Sequence, residues 1–316
     1  MTQATELQDE FSPEKMLEDI RKERKENAAK RTIGTRFTVP RTGVSLDGQP
    51  KEGIDTILYR PASGEAALPV LFNMHGGAWI GGDAVYMESF CQMMAERLPA
   101  LVVNINYRKA DERPFPYAIE EAADCVCYFT EHAKEYGIDT DLITVGGHSA
   151  GAQLAAGTAV LLGERGISLA AQMLVYPCVQ MDQNADELMY LIGPMLFPDS
   201  QAEYNAAHRY ASPLAASDEV LKSLPPAIFV LCGPDDLRPQ GIAYAKRLME
   251  LAVPVRVREF IRAEHGFLEV NRPDYPDGDS RKNQEQAEYA RQAEDFLAGE
   301  LQAVFSERNR ARERQG

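Results

Sequence analysis

From Ile54 onward, short apolar runs alternate with longer segments in which apolar and polar residues mix. The runs read "IDTILY", "PVLFNM", "ALVVNINY", "LITVGG", "AQMLVY", "AIFVLC" and "VPVRVREF". Each has the length of a strand, and several lack the in-out alternation of a half-exposed strand, which marks strands covered on both faces. With helix-length spacers between them, they predict an α/β fold, a mostly parallel sheet flanked by helices.

Two stretches fall outside this rhythm. The first 30 residues are rich in charge and helix formers, and Met16, Leu17 and Ile20 share one helical face, which predicts an amphipathic helix. Residues 181–213 carry scattered aromatics and no strand, between a run ending at Tyr176 and one starting near Ala227. This predicts an insertion packed over one edge of the sheet together with the N-terminal helix. A last helix, from about Asn283 to Phe305, is expected to close the core, with residues 306–316 fraying as a mixed-charge tail.

Composition narrows the setting. The chain has 316 residues, 45% of them hydrophobic, enough for one large core or two modest ones. No segment approaches the roughly 20 apolar residues of a membrane span, and the start lacks the apolar core of a secretory signal, so a cytoplasmic location is expected. The five cysteines are scattered and never spaced C-x-x-C, and read as reduced core residues. A net charge of -15 repels phosphate backbones and anionic membranes, so neither nucleic acid nor a membrane is an expected partner.

The chemistry is concentrated at "LITVGGHSAG", where Gly147, Ser149 and Gly151 sit between a predicted strand and a run of small residues with helical character. A serine at such a corner can be held on a strained strand-to-helix turn with its hydroxyl raised above the sheet, as a nucleophile requires. A dinucleotide fingerprint would need glycine at position 148, which is His148, and the chain has no G-K-[ST]. The serine needs a base, and the base needs an orienting acid. Of the two later histidines, His265 follows "VPVRVREF" by a short loop, whereas His208 lies in the irregular insertion and reads as a surface residue. His265 is the predicted base; His132 reads as an exposed helix residue. "GPDDL" after the preceding strand offers Asp235 and Asp236, and spacing does not separate them. Few histidines remain for a metal shell, "PDYPDGDS" lacks the length and terminal Glu of a calcium loop, and no cofactor is expected. Donors for an oxyanion are expected from "NMHGGAWIGG", at Gly76, Gly77 and Ala78, and from the amide of Ala150.

With these residues, about 55 to 300 of the chain resembles the hormone-sensitive-lipase-like branch of the α/β-hydrolases, which includes the bacterial family IV esterases. The resemblance rests on "HGGAW" at His75, "YRKADERPFP" from Tyr107, "GHSAG" at Gly147 and "HGF" at His265, in that order. It implies that "DDLR" aligns Asp235 with the family's acid, and that Gly77 and Ala78 are the oxyanion donors of its H-G-G-G. Alanine departs from that pattern and is expected to donate only with a negative φ; His148 replaces the usual aspartate and is expected to have no catalytic role. The family's cap corresponds to residues 1–45 and 181–213, leaving 46–180 and 214–305 as hydrolase core. The implied activity is a serine carboxylesterase on short acyl esters. An amidase, peptidase or lactonase would share the motifs, and a non-catalytic ligand-binding relative would need the cleft but not His265. Apolar bulk at Met189, Tyr190, Leu196, Phe197, Tyr204 and Tyr210 is expected to limit substrate size, with Trp79, Tyr190 and Phe197 touching the substrate. A small-molecule ester is the expected partner, and a homodimer stays open.

Overall fold

The computed structural model describes residues 13–62, 67–181, 187–198 and 202–314. Eight strands form one sheet: β1 (Thr35–Val39), β2 (Ile54–Tyr59), β3 (Leu68–Met74), β4 (Leu101–Ile105), β5 (Ile138–His148), β6 (Ala171–Val175), β7 (Ala227–Cys232) and β8 (Val255–Phe260). Their spatial order is β1-β2-β4-β3-β5-β6-β7-β8. From β4 to β8 all neighbours are parallel, and β4, β6 and β7 are buried at every position, which is why their sequences are unbroken apolar runs. The expected α/β architecture is therefore present. "IDTILY" departs from it, since β2 runs antiparallel to β4.

Helices α2 (Glu88–Arg97), α3 (Tyr117–Glu131), α4 (Ala150–Glu164), α7 (Arg238–Glu250) and α9 (Gln284–Glu313) accompany the sheet. Among the shorter pieces, α5 (Glu187–Leu196) and α6 (Ala202–Ala207) belong to the insertion, and α8 (Phe267–Val270) follows the last strand. The expected insertion is thus helical where it is described. Phe197 packs on Phe115 with ring centroids 5.4 Å apart, and the backbone of Phe115 donates to Leu196 at 3.0 Å. The side chain of Tyr204 lies outside the described residues.

Two boundaries change. Residues 1–45 are not all cap, because Thr35–Val39 pairs with β2 as an edge strand. The C-terminal helix does not end at Phe305 but runs on to Glu313, and the expected tail is tied down: Arg308 donates to the carbonyl of Asp141 at 3.2 Å and Arg312 to the Asp139 carboxylate at 2.6 Å. The basic side chains also suit the negative end of the helix dipole.

At the other end, α1 (Pro13–Ala28) half-buries Met16, Leu17 and Ile20 as its pattern predicts. It is also held by charge. Arg21 donates to the buried carboxylate of Asp111 at 2.9 Å, and Arg24 bonds both Asp111 and the carbonyl of Ile80. The "YRKADER" segment therefore anchors α1 above the carboxyl ends of the strands, where the glycine-rich loop after β3 also emerges.

Candidate active site

Ser149 stands between β5 and α4 with φ 54° and ψ -117°, a conformation that costs a non-glycine residue on the order of 1–3 kcal/mol. Two close approaches hold it there. A Cβ on Gly147 would lie 2.3 Å from the carbonyl oxygen of Gly151, and one on Gly151 would lie 2.2 Å from that of Met74. Only glycine lets the corner close against β3. Ser149 occupies the N-cap position of α4, yet its side chain accepts no capping bond. Its hydroxyl instead faces His265, with Oγ 2.8 Å from Nε2.

His265 is placed by the short loop after β8 and is fixed from outside by Arg281, which donates to its carbonyl at 2.6 Å. Its Nδ1 lies 2.8 Å from Oδ2 of Asp235. The Asp235 side chain is 4% exposed and that of His265 33%, so the acid is sheltered while the imidazole edge reaches the cleft. The other oxygen of Asp235 accepts from the backbone N–H of Leu237 at 2.9 Å, whereas Asp236 is exposed. The structure thus brings Ser149, His265 and Asp235 into one hydrogen-bonded line and separates the two aspartates that spacing could not.

The loop after β3 passes over this line. Gly77, Ala78 and Trp79 have φ of 125°, 50° and 60°. The negative φ expected of Ala78 is not found. The amides of Gly77 and Ala78 have no acceptor among the described residues, and the Ala150 amide, at the first turn of α4, has no intrahelical one. The direction of an N–H depends on the plane of the whole peptide, so a positive φ at Ala78 does not close that donor.

Gly76 serves closeness of approach: its Cα side faces a Glu269 oxygen, with the carbonyl of His148 and Cβ of Ser149 next nearest. Behind the loop, His75 stacks on Tyr107 with centroids 4.4 Å apart, donates from Nδ1 to the Gly76 carbonyl at 2.6 Å and accepts at Nε2 from Lys109 at 3.1 Å. Burial first, and Lys109 second, hold the His75 pKa well below the ordinary value; burial pushes Lys109 down to about 8.

A cavity of about 300 Å³ opens at Ser149 and His265, and its mixed wall sets the polar side chains of Glu23, Asp83, Tyr86, Glu269, Tyr275 and Arg281 among apolar surface that includes Met87, Val270 and Pro276. Of the residues expected to touch substrate, Trp79 and Phe197 line a separate apolar cavity of about 20 Å³, and Trp79 donates its indole N–H to Gln153 at 2.8 Å. Tyr190 is 81% exposed. Position in the chain could not show that the apolar insertion residues pack on "ERPFP" while the N-terminal helix supplies Glu23 to the cavity. Both outlying histidines are half-buried rather than fully exposed: His208 packs against Phe115 and Tyr210, and His132 stacks on Tyr128.

His148 is buried, edge-on to Phe90, with burial pushing its pKa down to about 3. Glu269 is buried beside it and accepts from the hydroxyl of Tyr176, whose ring lies 4.9 Å from that of His265. Sequence reading passed over Glu269 and Tyr176. The signal for Glu269 is its spacing, four residues after His265 in the otherwise apolar "FLEV". Among the described residues no cluster of three His, Cys, Asp or Glu side chains could hold a metal ion, and no helix is long and apolar enough to cross a membrane.

Known proteins share this fold. Residues 71–269 match the family model of the alpha/beta hydrolase fold. The esterase LipI of Mycobacterium tuberculosis is 32% identical over 237 residues, covering 71% of this chain and 74% of that protein. An arylesterase of Saccharolobus solfataricus is 33% identical over 210 residues, or 63% and 68%. Among solved structures, an esterase of Pyrobaculum calidifontis superposes with a TM-score of 0.77 at 27% identity, covering 93% of this chain and 95% of that one. A thermostable esterase of Pseudomonas putida gives 0.74 at 26% identity, covering 93% and 91%. From the glycine-flanked serine corner to the sheet that carries it, the chain belongs to the α/β-hydrolase fold family, in its hormone-sensitive-lipase-like branch.

Proposed function

We propose that the protein is a serine carboxylesterase that hydrolyses esters of short acids through an acyl-enzyme. The observation that carries this reading is the line from Ser149 Oγ to His265 Nε2 and from His265 Nδ1 to Asp235, both at 2.8 Å, on the wall of an open cavity. Asp235 accepts a hydrogen bond from the Nδ1–H, which leaves Nε2 bare to take the proton of Ser149 as its oxygen attacks the ester carbonyl. The amides of Gly77, Ala78 and Ala150 stabilise the oxyanion, the imidazolium returns its proton to the departing alcohol, and a water molecule activated by His265 repeats the sequence to release the acid. The similarity to proteins named as esterases supports the same reaction class.

The preference for short acids follows from size. A cavity of about 300 Å³ is at the lower end of small-molecule sites. The test is a nitrophenyl ester series from acetyl to dodecanoyl, run with the wild type and Ser149→Ala. Acetyl to hexanoyl esters should be turned over best, and the variant should lose about 10⁴–10⁶ in kcat. A preference for the longest chains contradicts the size argument, and a nearly active Ser149→Ala contradicts the mechanism.

A further inference from the structure

Glu269 presents one oxygen without a side-chain partner to the cavity that holds Ser149. The residue is 7% exposed, sits on α8 and lines the cavity wall. Oε2 accepts from Tyr176. Oε1 has no side-chain hydrogen-bond partner among the described residues: the carboxyl is reached by its own backbone N–H, and His148 Nδ1 lies 3.9 Å from Oε1, beyond hydrogen-bond range. Oε1 also lies against Gly76, where a Cβ would come within 2.8 Å of it, so the chain leaves that position bare and the carboxyl reaches the floor of the cleft. The neighbouring guanidinium, Arg281, is already engaged by Asp279 and by the carbonyl of His265.

An alkyl group filling this cavity would strip water from Oε1 and offer nothing in return, the unfavourable outcome for a buried polar atom. A hydroxyl group replaces that water. It can donate to the carboxyl or accept from it, so it is matched in either protonation state. An ammonium gains little from a neutral acid, and burial pushes the Glu269 pKa up to about 8. The rest of the wall offers further polar partners, Glu23, Asp83, Tyr86 and Tyr275, interspersed with apolar surface from Met87, Val270 and Pro276.

We propose that Glu269 is a specificity residue that binds a substrate hydroxyl beside Ser149, so that the favoured substrates are short esters carrying hydroxyl groups. This rests on ester hydrolysis at Ser149. The hydroxyl can be carried by the alcohol or by the acid, and two arms of one assay separate these.

The experiment compares kcat/KM for propyl butyrate, glycerol monobutyrate and propyl hydroxybutyrate in the wild type, Glu269→Gln and Glu269→Leu. At least one hydroxylated ester should exceed propyl butyrate by about tenfold or more in the wild type. Glu269→Leu should bring that ratio to near one, while Glu269→Gln, which keeps a donor and an acceptor, retains most of it. Preference in the glycerol arm assigns the hydroxyl to the alcohol half, and preference in the hydroxybutyrate arm assigns it to the acid. Each ratio is internal to one variant, so incomplete folding does not change it; should the leucine variant be insoluble, Glu269→Met gives the same readout. Equal rates for all three esters in the wild type, or a preference that survives in Glu269→Leu, would overturn the proposal. No turnover of any of them would instead remove the esterase reading beneath it.

Discussion

Replacing Asp235 by asparagine changes one atom of the hydrogen-bonded line, and the backbone decides what that atom does. One oxygen of Asp235 accepts from the Leu237 N–H at 2.9 Å and the other faces His265 Nδ1 at 2.8 Å. In Asp235→Asn the amide oxygen is held toward Leu237, because turning it away would leave that N–H facing a donor. The NH₂ group then faces Nδ1, which can only accept. The imidazole is driven to the tautomer with its proton on Nε2, and it can no longer take the proton of Ser149. Loss of the right tautomer is expected to lower kcat by about 10⁴, or about 5.5 kcal/mol at 1.36 kcal/mol per decade. Asp236 is exposed and outside the line, so Asp236→Asn should retain activity within a few-fold. Steady-state hydrolysis of nitrophenyl butyrate measures both, with thermal melting to establish that each variant is folded. Asp235→Asn within tenfold of wild type, or a larger loss from Asp236→Asn, would refute the reasoning.

Two stability predictions rest on other parts of the corner. A Cβ on Gly151 would lie 2.2 Å from the Met74 carbonyl and 2.4 Å from that of His75, so Gly151→Ala should cost about 1–3 kcal/mol or more, read as a lowered Tm. Gly163, with nothing nearer than 3.9 Å, is the control, and alanine there should be neutral or slightly stabilising; equal Tm values for the two variants would contradict the packing argument. His148 titrates near 3 in the folded protein against 6.5 in an exposed setting, so the unfolded chain takes up the proton first. Its contribution to stability is complete above about pH 6.5 and is lost as pH falls toward 3, at up to about 1.4 kcal/mol per pH unit. His148→Leu should flatten this acid limb in urea titrations, and an unchanged slope would show that other groups control it.

The central strands were legible because burial on both faces leaves unbroken apolar runs such as "AIFVLC". β1 was not, since "TRFTV" is a short edge strand with only Val39 fully buried, too little pattern to register. The C-terminal tail reads as solvated from its charges, yet those charges reach Asp139 and Asp141 across the fold. At the site, Ser149 and its glycines were legible because backbone approach admits nothing larger, and His265 because of its place after a strand. The placement of Asp235 rather than Asp236 against His265 goes with the Leu237 N–H and with burial, which spacing cannot express. The lining of the cavity was not legible for a related reason: Leu196 and Phe197 are apolar wherever they pack, and sequence alone cannot tell a packing contact from a substrate wall. Glu269 escaped notice because a lone carboxylate in a short helix ordinarily faces solvent.

The central claim is that Ser149 is the nucleophile, and stoichiometric labelling by a fluorophosphonate tests it most directly. Activity should fall in proportion to label, reaching zero at one equivalent per chain, and peptide mapping should place the phosphonate on the peptide carrying Ser149, with none incorporated into Ser149→Ala. Label on another residue, or full ester hydrolysis by a chain labelled at Ser149, would contradict the account.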